Sequence, residues 1–198
     1  MTAHAGDSVD VCRRRAARLL AAKAPPLPVD TAAIERFILR SGRPVPPVLV
    51  AGAELGELCL AFDELGATAT GVDRVAEAVQ RACQVYPAGV FVCAAVPGLP
   101  ADGGAFEGVW CGRLLSHVSD PAPVLADLHR VLRAGGLLQL ETLPGVGIAA
   151  DPTSDGVLDR HRHLASRLEA AAATLDLNLY DSTALPDGWV RMLFRREY

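Results

Sequence analysis

The stretch Val48-Leu49-Val50-Ala51-Gly52-Ala53-Glu54-Leu55-Gly56-Glu57-Leu58 reads as a buried strand, a glycine-bearing turn and the start of a helix. A second apolar run, Ala67-Thr68-Ala69-Thr70-Gly71-Val72, ends in Asp73. That acid lies 21 residues beyond Gly52, close to the ~20 that separate a glycine turn from the ribose-binding carboxylate of a nucleotide-binding βαβ unit. The pairing points to a nucleotide-like ligand. Against it stands Glu54, a full side chain at the position where such a turn most needs bare backbone.

Strand and helix signals alternate outward from this unit, the pattern of a parallel sheet covered by helices on both faces. Residues 8–23 and 30–40 read as two leading helices joined by Pro25-Pro26-Leu27-Pro28, which cap the domain. A strand at 47–51 is followed by a helix near 55–65, the strand ending at Asp73, and a helix near 74–86. Val90-Phe91-Val92-Cys93-Ala94 is a third strand, leading through a proline- and glycine-rich loop (97–105) to a fourth, Phe106-Glu107-Gly108-Val109-Trp110-Cys111. The next helix is well marked: Asp120 caps it, Pro121 fills its first turn, and Gly135-Gly136 ends it after Arg130 and Arg133. Residues 137–143 form a fifth strand, 144–156 a glycine-containing loop and 157–175 an alanine-rich helix. The runs 177–182 and 189–196 make a final hairpin through Pro186-Asp187-Gly188.

Composition bounds the function classes. The 198 residues, 51% hydrophobic and 21% charged, suit one domain with a sizeable core. No apolar run approaches the ~20 residues of a membrane-spanning helix, and the N-terminus lacks the apolar core of a signal peptide, so a soluble cytoplasmic protein without membrane partners is expected. A net charge of −4 argues against nucleic acid as a partner, and Arg13-Arg14-Arg15 reads as a solvated helix face. The five cysteines, Cys12, Cys59, Cys83, Cys93 and Cys111, show no metal or disulfide spacing and read as small buried hydrophobes. His161 and His163 are two apart on a predicted helix, hence on different faces, and form no metal site. His129 is expected to be exposed, and Trp110, Phe106 and Trp189 to lie in the core.

Several segments, in order and at the right spacing, resemble the class I S-adenosylmethionine-dependent methyltransferases, in particular the small-molecule subgroup, over residues 45–198. They are the glycine turn, Gly71-Val72-Asp73, the loop from Leu99-Pro100 to Phe106-Glu107, Leu114-Leu115-Ser116-His117-Val118-Ser119-Asp120-Pro121, and Val131-Leu132-Arg133-Ala134-Gly135-Gly136. The resemblance implies a Rossmann-like α/β fold with a seven-stranded, mostly parallel sheet, an antiparallel final strand and helices on both faces. It implies one domain over 1–198, with 1–44 a helical cap and 45–198 the core. S-adenosylmethionine would be the cofactor, held by Gly52, Glu54, Gly56, Asp73, Arg74, Ala95, Val96, Gly112 and Arg113. His117 would be a base at the mouth of the fourth strand, or else a histidine that merely begins a helix.

Three positions depart from the family pattern. Val50 stands where the family has an acid, Glu54 replaces the middle glycine, and Ala95 replaces an adenine-side aspartate. Glu54 can cap the following helix through the helix dipole, or plug the anion site by repelling the methionyl carboxylate. Arg113, Glu141 and Thr142 could orient a substrate, with Arg113 alternatively paired to an acid such as Glu54. Two functions follow: methyl transfer to a small-molecule acceptor, or a pseudoenzyme with a blocked or repurposed site that serves as a scaffold or catalyses another reaction. An apolar face on 157–175 or the final hairpin is where a homodimer would pair.

Overall fold

The computed structural model describes residues 29–143, 147–150, 159–162 and 165–198. The helix expected at 8–23, the turn at 25–28, Arg13 to Arg15, Cys12 and His163 lie outside these residues.

Helix α1 (Thr31–Ser41) begins where the Asp30 carboxylate accepts the Ala33 N–H at 3.0 Å, and stops at Gly42, whose φ of +71° turns its N–H back to Leu39 O. Its Ala33, Ile34, Phe37 and Ile38 recur on one face and are buried. The chain continues as β1 (Pro47–Ala51), α2 (Glu57–Glu64), β2 (Thr68–Asp73), α3 (Ala76–Val85), β3 (Val90–Cys93) and β4 (Phe106–Cys111). A 3₁₀ turn (Arg113–His117) precedes α4 (Ala122–Val131) and β5 (Leu132–Thr142). Then come β6 (Gly147–Ala150), β7 (Asp159–Arg162), α5 (Ala165–Ala173), β8 (Leu177–Ala184) and β9 (Val190–Arg196).

Seven strands form one sheet in the order β3-β2-β1-β4-β5-β9-β8. The first five are parallel to their neighbours, and β9 runs antiparallel to both β5 and β8. From β1 the chain first builds outward through β2 to β3, then crosses back to lay β4 and β5 on the other side. The order therefore reverses between β1 and β4, and the carboxyl ends of those strands border the crevice in which open α/β sheets bind ligands.

Alternating side chains divide between two cores. Leu49 and Ala51 of β1 point to the face covered by α4 and α5, where Leu125, Leu128, Val131, Leu168 and Ala172 meet Val109, Leu138, Leu140, Met192 and Phe194. Val48 and Val50 point to the face covered by α1 and α2. There Phe37, Phe62 and Trp110 pack edge to face, with ring centroids 5.3–5.8 Å apart. Phe37 lies so close over Gly108 that a Cβ there would stand 2.6 Å from its ring, so the helix can seat on β4 only because that residue has no side chain.

Four expectations need correction. Among the described residues, the helix expected at 157–175 is α5; residues 159–162 instead pair antiparallel with 147–150, a strand inside the expected glycine loop, so His161 is on a strand. Ala165 is where the helix-favouring run begins, whereas 159–162 gains backbone partners as a strand. The helix ahead of Gly135-Gly136 ends earlier, at Val131, because buried Leu132 turns extended and pairs with Phe106. The ladder then shifts so that Gly108 opposes Leu137, with Gly135 at φ +74° in the irregular stretch. Cys59 and Cys111 are buried and their thiols are pushed up to about 12 by burial, but Cys83 and Cys93 are exposed, Cys93 at the end of the edge strand β3. His129 is half-buried rather than exposed, its backbone oxygen accepting a hydrogen bond from Arg196 of β9 at 3.0 Å, and burial lowers its pKa. Trp110 and Trp189 are in the core as expected, and Phe106 packs at its border.

Candidate functional site

The turn after β1 is held by the strand beside it. The N–H groups of Gly52 and Ala53 both donate to Val72 O, at 2.8 and 3.0 Å, and the Glu54 N–H donates to Asp73 Oδ2 at 3.0 Å. Three residues of the turn adopt left-handed backbone: Gly52 at φ +78°, Glu54 at +48° and Gly56 at +92°. At Gly56 this geometry and the packing agree, since a Cβ would stand 2.7 Å from the Phe91 ring. At Glu54 they conflict, because an L-residue pays a steric penalty in this region. The turn thus keeps the backbone path of a glycine turn although its middle glycine is gone. Its anchor is Asp73, whose other oxygen accepts the Val75 N–H at 2.9 Å. Burial pushes the Asp73 carboxyl above the usual range, and the N–H groups of Val75, Glu54 and Arg74 act the other way.

Of the three departures, Val50 is buried against α1 and α2 and carries no group that could orient the turn, and Ala95 is exposed just past β3 with no side-chain acceptor. Val96 beside it is half-buried and Arg74 is exposed. Gly112 follows β4, and nothing lies within 4 Å of where its side chain would begin, so the space above that strand end is open. The 3₁₀ turn then places half-buried His117 at the mouth of β4.

Arg113 is paired with nearby acids, Glu141 and Asp187. Its Nε lies 3.5 Å from Glu141 Oε2, its Nη2 bonds Asp187 at the hairpin tip, and its guanidinium stacks 4.5 Å from the Trp189 ring centre. Glu141 in turn accepts two hydrogen bonds from Arg191, at 3.0 and 2.9 Å, and Arg191 reaches Asp30 at 2.7 Å. Glu141 is therefore committed to a charge relay, and Thr142 beside it is buried. Arg191 holds the Asp30 carboxyl below its usual range. At Asp187 burial acts upward, but the bond to Arg113 and its charge outweigh it and lower the pKa. Nothing in the sequence marked Asp187, Asp30 and Arg191 as partners in one ion-pair network; pairing between β5 and β9 and the folding of α1 onto the sheet bring them together.

Sequence reading also missed Asp127 and Arg130, one turn apart on α4. Asp127 Oδ2 accepts the N–H groups of Gly98 and Leu99 at 2.6 and 2.8 Å, and Arg130 donates to Leu99 O and Ala101 O at 2.8 and 2.5 Å. The two also bond each other, with Arg130 Nη2 2.7 Å from Asp127 Oδ1. The signal in the sequence was their i, i+3 spacing on a helix face. Among the described residues, no three His, Cys, Asp or Glu side chains gather to hold a metal, and no helix is long and apolar enough to cross a membrane.

Residues 49–140, from within β1 to within β5, match the family model described as a methyltransferase domain. That match takes in 92 of the 198 residues. The chain is 29% identical over 105 residues to malonyl-[acyl-carrier protein] O-methyltransferase of Salmonella typhimurium, covering 53% of this chain and 42% of that one. It is 35% identical over 101 residues to the ubiquinone biosynthesis O-methyltransferase of Thiobacillus denitrificans, covering 48% of this chain and 44% of that one. The match thus spans less than half the length of these curated relatives. In fold, it superposes on 1,6-didemethyltoxoflavin-N1-methyltransferase of Burkholderia thailandensis with a TM-score of 0.75 at 20% identity, covering 100% of this chain and 92% of that one. That structure holds S-adenosylhomocysteine.

Proposed function

We propose that the protein is a class I S-adenosylmethionine-dependent methyltransferase that transfers a methyl group to a small-molecule acceptor by in-line displacement. The observation that carries the reading is the turn after β1, which keeps its left-handed path and its bond to Asp73 in spite of Glu54. When bound, the cofactor supplies a sulfonium methyl as electrophile. Gly52, Glu54 and Gly56 would border it from the turn, Asp73 and Arg74 on the ribose side, Ala95 and Val96 at the base, and Gly112 and Arg113 below the acceptor. The absence of any neighbour within 4 Å of a Cβ at Gly112 leaves that strand end uncovered for it. For the protein's residues the chemistry demands alignment more than activation.

His117, the last residue of the 3₁₀ turn after β4, would take a proton from an acceptor. That role predicts a rate that rises with pH as a side-chain base loses its proton. A flat pH–rate profile from pH ~5.5 to ~8, once an acceptor is found, would remove it from that role. The relatives' names speak for a small-molecule acceptor, and net charge speaks against nucleic acid. A cytoplasmic location belongs to the same reading, as does one domain over 1–198 with 1–44 as its cap. So does a homodimer along the exposed edge of β8, where Leu179 and Tyr180 stand in solvent, which the molecular mass in solution decides.

The test is calorimetric titration with S-adenosylmethionine and S-adenosylhomocysteine beside Glu54→Gly. Micromolar binding by the unaltered protein is expected. Absence of binding that Glu54→Gly restores would mean instead a methyltransferase fold whose cofactor site is closed by its own side chain.

A further inference from the structure

The loop after β3 lacks the acceptor that would read a base. Ala95 has no polar side chain and Val96 none either, so any edge-on recognition of adenine there falls to backbone N–H and C=O groups. Backbone groups discriminate only where their directions are held, because a loop free to rotate its peptide planes satisfies whatever edge is offered.

Here the directions are held from a distance. Asp127 Oδ2 takes two consecutive N–H groups, Gly98 and Leu99, and Arg130 takes the carbonyls of Leu99 and Ala101. Leu99 is thus tied through both its N–H and its C=O, while its side chain is buried among Leu125, Leu128 and Val131 of the same helix. The Gly104 N–H adds a bond to Arg130 O at 3.0 Å at the far end of the loop. On the near side, the Ala94 N–H donates to Asp73 O at 3.0 Å, which ties the start of the loop to the ribose-side strand. Residues 95–97 are therefore suspended between two fixed points, one on β2 and one on α4.

We propose that Asp127 and Arg130 are positioning residues for the adenine side of the cofactor site, setting the backbone of 95–97 in place of the missing acidic side chain. The proposal rests on the methyltransferase reading above. Asp127 and Arg130 touch neither cofactor nor acceptor and act only through the loop.

The experiment titrates S-adenosylhomocysteine and S-inosylhomocysteine, whose base reverses the donor and acceptor at the two edge positions, into the intact protein, Asp127→Asn, Arg130→Gln and Ala126→Gly. Asp127→Asn keeps the shape but sets an amide against either the loop N–H groups or Arg130. The unaltered protein is expected to prefer the adenine ligand. Asp127→Asn and Arg130→Gln are each expected to weaken that ligand roughly tenfold and the inosine ligand less, so that the preference shrinks. Ala126→Gly lowers the stability of α4 at an exposed position without touching the loop, and is expected to leave both affinities unchanged. Equal weakening in Ala126→Gly would reduce the pair to a stability device, and wild-type affinities and preference in folded Asp127→Asn and Arg130→Gln would overturn the proposal. If the unaltered protein binds neither ligand, the functional reading fails first and takes the positioning role with it.

Discussion

Asp73→Ala is expected to weaken S-adenosylhomocysteine binding by about two to three decades. The carboxylate does two things at once. It accepts the N–H of Glu54 on one oxygen and that of Val75 on the other, so it holds both the turn after β1 and the start of α3. In the proposed site its remaining lone pairs face the ribose hydroxyls. Truncation removes the ligand contact and also frees Glu54, whose φ of +48° costs energy and persists only because the surroundings impose it. Loss of one charge-assisted hydrogen bond is worth ~1.5–3 kcal/mol, and the loosened turn adds to it. Calorimetry on Asp73→Ala measures the change; an affinity within about threefold of the unaltered protein would mean that the carboxylate serves the turn alone. At Asp73 folding responds to pH in the opposite sense to an ion-paired carboxylate. Because the folded-state pKa of Asp73 is raised, ionisation at neutral pH costs stability, and that cost is relieved as pH falls through the folded value.

Glu141→Ala is expected to destabilise the protein by about 3–5 kcal/mol, read as a lower urea midpoint at unchanged slope. Glu141 is buried and lies opposite Arg191 in the β5–β9 ladder, where it takes both of that residue's inward hydrogen bonds. Without it the Arg191 guanidinium, whose side chain is 14% exposed, keeps Asp30 at the surface and the Trp110 ring 5.5 Å away. Removing one partner of a buried pair leaves a charge whose desolvation nothing offsets, which is why the loss exceeds anything expected from the more exposed Arg113–Asp187 pair. Glu141→Gln retains an acceptor and should fall between. A loss below about 1 kcal/mol in Glu141→Ala would show that water replaces the carboxylate and that the relay is solvated. The relay also sets an acid limit: with the Asp30 and Asp187 carboxyls below their ordinary 3.8, their contribution is complete above that value and is lost as pH falls through the lowered folded-state pKa.

The glycine turn, the acid closing β2 and the alternation of strand and helix were legible because each depends on neighbours in sequence. Gly52, Gly56 and Asp73 sit within one βαβ unit, and hydrophobic period and turn chemistry operate over that same short range. Helix α1 was legible too, expected at 30–40 and found at Thr31–Ser41 between the caps Asp30 and Gly42. Where a local signal competed with a distant partner, the distant partner prevailed. Leu132 left its helix to pair with Phe106, and 159–162 left theirs to pair with 147–150, because backbone pairing and burial outweigh the few tenths of a kcal/mol per residue that separate helix propensities.

The same division runs through the site. The amino-acid sequence by itself determined the strand order's raw material, the place of the turn and the identities of its three departures from the family. Tertiary structure alone decided that Glu54 still follows the left-handed path, that Arg113 and Glu141 are consumed by a relay with Arg191, Asp30 and Asp187, and that Asp127 and Arg130 grip the loop after β3. The reason is separation along the chain: these partners lie up to 161 residues apart, and a side chain's charge or bare backbone acquires a role only when packing of the two cores fixes which group stands opposite it.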